Sequence, residues 1–241
     1  MSVDTSRRLE CVVFDLDGVL TDTAELHFRG WERLCREEKI PFSRAVNEHL
    51  RGVGRQDSFR IILREAGMSR DPADVERLSA RKNEYYKELI ASLTPRDLLP
   101  GIPALLAELR KNGIRIAIAS ASRNAPAILK RIGIEGSIDY CVDAGAVVKG
   151  KPDPEIFIRA TEGAGVIPEN CAGVEDAQVG VQAITAARMF AVGIGKDLLG
   201  ADWLLPDTSG LTWEALKTRF DAAGQPAGAG QPAGAGQPAG A

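Results

Sequence analysis

The chain has 241 residues, 44% hydrophobic and 26% charged, with a formal net charge of −3 at pH 7. That length fits one large domain or a core carrying a smaller inserted domain, and the composition is that of a globular chain. The slight acidic excess excludes the broad basic field of a nucleic-acid binder, and no apolar run approaches the roughly 20 residues needed to span a bilayer. MSVDTSRRLE at the N-terminus lacks the apolar h-region of a signal peptide. Cys11, Cys35, Cys141 and Cys171 form no C-x-x-C pair, and three of them sit in apolar strand-like runs. They are expected to be buried, reduced thiols of a cytoplasmic protein, neither a metal site nor a disulfide frame.

The first element is a short apolar strand, 11–15, which runs into FDLDGVLTD at residues 14 to 22. Residues two apart on a strand point the same way, so the carboxylates of Asp15 and Asp17 can converge. Convergent carboxylates stay ionised only where a cation offsets their repulsion; otherwise one takes up a proton. The arrangement suits a Mg²⁺ site in which one carboxylate is free to attack phosphorus. A pair of turn aspartates beside Gly18 would show the same spacing.

Residues 23 to 93 carry several helical segments and no convincing strand. A helical domain inserted after the first strand, covering the carboxyl edge of a sheet, is the simplest account. Thr23, His27 and Trp31 are spaced four apart and share one helix face; a plain core stripe, with Trp31 against Phe28 and Cys35, is the alternative. Arg55 lies in the Gly-bounded loop RGVGRQDS, residues 51 to 58, before a helix, where it can grip a phosphate. Lys82 interrupts the helical stripe Val75, Leu78, Tyr85, Leu89. It either snorkels or reaches into a cleft, and the cleft is favoured. His49 reads as a surface residue.

From residue 94 onward strand-like runs at 114–120, 138–142, 171–175 and 189–194 alternate with helical patterns at 101–112, 123–132, 154–164 and 177–186. Short apolar strands alternating with helices predict an α/β fold, a Rossmann-like doubly wound parallel sheet, with ligands at the carboxyl ends of the strands. Asp15 and Asp17, Ser120 and Ser122, Lys151, and Glu175 with Asp176 all fall at such ends. Ser120 is followed by a helix start with Pro126 in its first turn, an anion site or an ordinary cap. Lys151 precedes Pro152, which favours an extended backbone; Asp153 reads as an N-cap and Pro154 as the first helical residue. Glu175 and Asp176 either complement a helix dipole or supply oxygens to a hard cation. GQPAGA, repeated three times over 224–241, has no large apolar residue and no charge. It cannot bury a core and reads as a disordered tail or linker scar, with the boundary set at 221.

FDLDGVLTD, the Ser120 strand end, Lys151-Pro152 and Glu175-Asp176 together resemble the haloacid dehalogenase superfamily of phosphotransferases, in its subclass with a small α-helical cap. The segments TDTAELHFRGW, RGVGRQDS, ARKNEYY, ASASRN, GKPDPEIF and GVEDAQVGVQA are similar, over residues 9 to 220, to its β-phosphoglucomutase family. The resemblance implies a core of residues 1–22 and 94–220 and a cap of 23–93. It implies that Asp15 is the nucleophile and Asp17 the general acid/base. It makes Asp15, Asp17, Asp176 and Glu175, the last directly or through water, ligands of Mg²⁺. Ser120, Ala121 and Lys151 would hold the transferring phosphoryl group. Gly52, Arg55 and Ser58 of the cap loop, with Ser122 and Asn124, would hold the other phosphate, while Thr23, His27, Trp31 and Lys82 align the sugar and couple cap closure to Asp17. Ala177, where many relatives have Ser, would alter hydrogen bonding around the metal ligands.

The implied reaction interconverts β-D-glucose 1-phosphate and β-D-glucose 6-phosphate through β-glucose 1,6-bisphosphate, in a monomer with small sugar phosphates as its partners and no nucleic-acid or membrane partner. Two other activities stay open. A sugar-phosphate phosphatase would use the same aspartates but let water take the phosphoryl group; Arg55 and Lys82 count against it. A non-catalytic phosphosugar-binding protein would not need the intact acids at 15, 17 and 176.

Overall fold

The computed structural model describes residues 7–224. In chain order, strand β1 (Cys11–Phe14) is followed by four helices: α1 (Ala24–Glu37), α2 (Arg44–Glu48), α3 (Arg55–Glu65) and α4 (Pro72–Ile90). Then come α5 (Ile102–Lys111), β2 (Arg115–Ile118), α6 (Ala125–Arg131), β3 (Tyr140–Cys141), α7 (Glu155–Ala164) and β4 (Cys171–Glu175). The chain ends through α8 (Gln178–Ala186), β5 (Phe190–Ile194), β6 (Trp203–Leu205) and α9 (Trp213–Ala223).

The six strands form one parallel sheet in the order β3-β2-β1-β4-β5-β6, the doubly wound arrangement whose strand order reverses beside β1. Strand alternation splits the β1 side chains between two cores. Val12 and Phe14 pack with Ile116, Ile118, Val174 and Val192 under α5, α6 and α9. Cys11 and Val13 pack with Ala117, Cys171 and Ala191 under α7 and α8. Both faces of the sheet are thus covered, as the uninterrupted apolar strands require. A third apolar cluster, Trp31, Leu34, Phe59, Ile62, Val75 and Leu78 among its members, lies within α1, α3 and α4.

Phe14 is in register with Ile118 on one side and with Val174 on the other. Chain leaving β1, β2 and β4 therefore emerges at one level, which brings Asp15, Ser120 and Glu175 to a common edge.

Several boundaries differ from the sequence expectation. The strand expected at 138–142 is reduced to Tyr140–Cys141, because the Asp139 carboxylate takes the Ile116 N–H at 2.8 Å where a longer ladder would have continued. Helix α7 starts at Glu155, one residue later than expected, with Pro154 and not Asp153 at its N-cap position; Asp153 stands one residue before and accepts from the Glu155 N–H at 3.0 Å. Strand β6 and helix α9 went unforeseen. The first is three residues long, with Leu204 facing outward. The second is anchored by Thr212, which accepts from the Ala215 N–H, and by the buried pair Leu216 and Phe220. It runs to Ala223, so the ordered chain passes the boundary at 221. Residues 225–241, most of the expected tail, lie outside the described residues. Among those described, no helix is long and apolar enough to cross a membrane.

Candidate active site

Three carboxylates meet at the strand ends: Asp15, Glu175 and Asp176 each offer an oxygen within 4.8 Å of the others. Lys151 is inserted between two of them. Its Nζ donates to Asp15 Oδ1 at 2.6 Å and to Glu175 Oε2 at 3.0 Å, with all three side chains almost wholly buried. Burial disfavours the Lys151 ammonium, but Asp15 and Glu175 together hold its pKa above the ordinary lysine value. Burial, and then Asp15, pushes Glu175 well above the usual carboxylate range and Asp176 up to about 6. Three carboxylates against one ammonium leave two formal negative charges in excess when all are ionised. An all-oxygen donor set with that excess fits a hard divalent cation.

The close approach of Glu175 explains a glycine five residues on. A Cβ at Gly180 would stand 2.1 Å from Glu175 Cδ and 2.2 Å from its Oε1. Gly180→Ala is therefore expected to displace the Glu175 carboxylate and to weaken divalent-cation binding by about 10–100-fold, the usual cost of disturbing the support of a metal site. Isothermal titration of the purified variant with the cation checks this; affinity equal to the parent chain would mean that Glu175 is not needed there.

Asp17, expected among the metal ligands, is not part of this carboxylate group. Its side chain turns to the helical insertion instead. Thr23 Oγ1 donates to Asp17 Oδ1, and His27 Nε2 lies 3.9 Å from Oδ2. Burial, and then the charge of Asp15, raises Asp17 to about 7. A carboxyl poised there can both give and take a proton near neutrality. Lys82 Nζ lies 2.9 Å from His27 Nδ1, and burial with Lys82 drives His27 well below its ordinary value, to the neutral form. With Nδ1 accepting from Lys82, the imidazole carries its proton on Nε2, aimed at Asp17. Lys82 reaches into the cleft, 4.8 Å from the ring centre of Trp31 and 4.7 Å from that of Tyr86; burial and Arg55 lower it to about 7.

A cavity of about 290 Å³ opens over this edge. Its lining includes Asp15, Asp17, His27, Trp31, Lys82 and Asp176, together with Gly52, Arg55, Ser58, Ala121, Ser122 and Asn124. Trp31 is both lining and core, since its ring stacks on Phe59 at 5.7 Å. Ser58 donates to Val53 O at 3.3 Å, which fixes the loop before α3. Ser120 is buried behind the lining, and its Oγ accepts from the Ser122 N–H at 3.1 Å; Ala121 is the residue that faces the cavity. Glu175 and Lys151 likewise lie beneath the floor. Thr23 is fully buried at the start of α1, and His49 is exposed.

Three residues given no role from the sequence also belong here. Arg123 faces Arg55, and burial together with this neighbouring guanidinium lowers the Arg55 pKa. Asn83 on α4 accepts from Asn124 Nδ2 at 2.9 Å. Arg51 donates to Asp176. Arg51 and Arg123 stand within the motifs RGVGRQDS and ASASRN, so their segments were visible while their partners were not. Among the described residues, buried Arg55 Nε finds no hydrogen-bond partner. Two like charges and an orphaned donor in the lining of one cavity make a place for an anion.

Comparison with known proteins agrees with this geometry. The family model for haloacid dehalogenase-like hydrolases matches residues 9–188. The chain is 46% identical to the β-phosphoglucomutase of Bacillus subtilis, across 88% of this chain and 96% of that one. It is 31% identical to a phosphorylated carbohydrates phosphatase of Thermotoga maritima, covering 80% and 91% of the two chains. Among solved structures, the β-phosphoglucomutase of Clostridium difficile superposes with a TM-score of 0.87 at 38% identity, covering 89% of this chain and 98% of that one. By the extent of these matches the chain belongs to the haloacid dehalogenase-like hydrolase family, alongside its β-phosphoglucomutases.

Proposed function

We propose that the chain is an isomerase that interconverts β-D-glucose 1-phosphate and β-D-glucose 6-phosphate through a phospho-aspartate and β-glucose 1,6-bisphosphate. The observation that carries this reading is the pair of anion-ready regions in one cavity: the carboxylate–Lys151 centre and the Arg55–Arg123 end with its unpartnered donor. A bisphosphate intermediate needs both, whereas a hydrolase of a monophosphate needs only the first. The 46% identity to a β-phosphoglucomutase supports the same choice.

In the first half-reaction the sugar 6-hydroxyl attacks the phosphoryl group carried by Asp15. Asp17 takes the hydroxyl proton, the O6–P bond forms, and the Asp15 carboxylate leaves. The bisphosphate then turns around. Asp15 attacks the 1-phosphoryl group, Asp17 returns its proton to the departing O1, and glucose 6-phosphate leaves with Asp15 phosphorylated again. A group near pKa 7 suits both directions. Thr23 and the Nε2–H of His27 orient the Asp17 carboxylate. Asp15, Glu175 and Asp176 would hold Mg²⁺, which would supply positive charge against the transferring phosphoryl group; Lys151 supplies positive charge from beneath. Ala121 N–H borders that group, and the Ser120 hydroxyl behind it fixes the turn by accepting from the Ser122 N–H. Arg55, Arg123, Ser122 and Asn124 hold the phosphate that does not react. Helices α1–α4, residues 23–93, serve as a cap that excludes water, so the phosphoryl group returns to sugar. Sugar phosphates are thus the partners of a monomeric enzyme, and its four free cysteines suit a cytoplasmic setting.

The direct test supplies β-glucose 1-phosphate, Mg²⁺ and a trace of the 1,6-bisphosphate, and follows glucose 6-phosphate and free phosphate together. Glucose 6-phosphate in large excess over phosphate is expected; phosphate release alone would establish a phosphatase. Arg55→Ala separates the two anion sites. A charge-assisted hydrogen bond contributes about 1.5–3 kcal/mol, so mutase kcat/KM should fall by about 10–150-fold. Phosphate release from acetyl phosphate, which has no second phosphate, should change by less than about threefold. Equal losses would remove the distal-phosphate assignment.

A further inference from the structure

Arg51 takes no part in the reaction above, yet it reaches from the helical insertion into the carboxylate centre. Its Nη1 donates to Asp176 Oδ2 at 3.0 Å, and its Nε donates to Glu48 Oε2 at 2.9 Å. The Asp176 side chain is 11% exposed and that of Arg51 45%, so the guanidinium closes one open side of the acid cluster. The backbone fixes this approach. Gly52 follows in the left-handed region, at φ +71°, and a Cβ there would lie 3.0 Å from Val179 Cγ2 and 3.2 Å from Ala177 Cβ. The 51–52 turn is therefore seated directly on the segment that starts α8, just beyond Asp176.

Arg51 and a divalent cation answer the same electrostatic need. With all three carboxylates ionised, the cluster of Asp15, Glu175 and Asp176 with Lys151 carries two formal negative charges in excess. A divalent ion balances that excess alone, and Arg51 then keeps only Glu48 as its carboxylate partner. We propose that, in the substrate-free enzyme, Arg51 competes with the divalent cation for Asp176. Metal binding and seating of the 51–52 turn then oppose one another through this carboxylate. Such coupling is reciprocal: whatever factor Arg51 takes from metal affinity, the metal takes from the contact of the turn with the core. Arg51 acts here as a positioning residue, through Asp176 and not on substrate. The inference rests on the assignment of the acid cluster as the cation site.

The test is a calorimetric Mg²⁺ titration of substrate-free protein, parent against Arg51→Gln, with Asp176→Asn as the control for the site. Arg51 is half exposed, so the fold tolerates the change. A partly exposed ion pair is worth up to about 1 kcal/mol, so Arg51→Gln is expected to bind Mg²⁺ about fivefold more tightly. Unchanged or weaker binding would overturn the competition and would make Arg51 a support of the site. Parent protein with no Mg²⁺ binding that Asp176→Asn removes would overturn it too, together with the metal assignment. Glucose 6-phosphate formation by the same preparations reports on the mutase reading separately, since that assay decides whether the phosphoryl group goes to sugar.

Discussion

Asp15→Asn is expected to lose turnover by on the order of 10⁴–10⁶-fold, the range seen when a covalent nucleophile is removed. The side chain is one oxygen short but isosteric, and the geometry that makes Asp15 reactive does not depend on its charge alone. One carboxylate oxygen accepts from Lys151 Nζ at 2.6 Å and the other from the Asp17 N–H at 3.0 Å, so the group is held at the end of β1 and cannot rotate away. The loss should fall equally on mutase turnover and on phosphate release from acetyl phosphate, because both pass through the same acyl phosphate. Asp17→Asn should behave differently. General acid–base help is worth about 10²–10⁴-fold, and acetyl phosphate needs little of it to load Asp15, so phosphorylation by acetyl phosphate should survive where mutase turnover fails. The check is acid-quenched phosphoprotein measured beside glucose 6-phosphate formation. Phosphoprotein in Asp15→Asn, or its absence in Asp17→Asn, would exchange the proposed roles.

The residues legible from sequence are those whose position is set by one strand. Asp15, Glu175 and Asp176 follow apolar strands, and parallel pairing in register carries them to the same edge without further information; Lys151 stands ten residues beyond β3 and reaches that edge from its own turn. The cap residues were harder. Lys82 was visible as a flaw in an apolar stripe, but its contact with His27 at 2.9 Å depends on how α1 and α4 cross. Asn83 and Arg51 were missed for the same reason. Each pairs across more than forty residues with the region after β2 or β4, and no local pattern encodes such a distance. Asp17 shows the limit within a single motif. Two carboxylates at i and i+2 leave a strand on one side, yet the turn at Gly18 and the hydroxyl of Thr23 direct the second toward the helices, away from the acid cluster. Strand β6 was lost because three residues on an edge carry too little periodicity. Helix α9 carries a capping threonine and a Leu216/Phe220 pair, but it runs directly into the GQPAGA repeat, which has no apolar periodicity to mark where the helix stops.

Lys151→Met should have the largest effect on stability of any single change at the site. Lys151 is 1% exposed, against Asp15 at 7% and Glu175 at 0%. Breaking a buried ion pair from one side costs about 3–5 kcal/mol, because the remaining charges stay in a medium that solvates them poorly. For a chain of this size that corresponds to a fall in Tm of about 6–20 °C. The sign of the pH dependence follows from the carboxylates left behind. Glu175 is already held well above its unfolded value by burial and Asp15, with Lys151 acting to lower it. Without the ammonium it rises further. A carboxyl whose folded pKa is raised contributes its full share at low pH and loses it as pH climbs through the folded value. The gap in Tm between parent and Lys151→Met should therefore be small at acidic pH, where Glu175 is protonated in both proteins, and should widen as pH rises through its raised folded value. Saturating Mg²⁺ should narrow it at high pH by restoring positive charge to the same oxygens. Thermal melts at several pH values, with and without Mg²⁺, give the result directly. A gap that is constant across pH would mean that the methionine costs packing alone, and that the Asp15–Lys151–Glu175 contact is not the electrostatic centre of the fold.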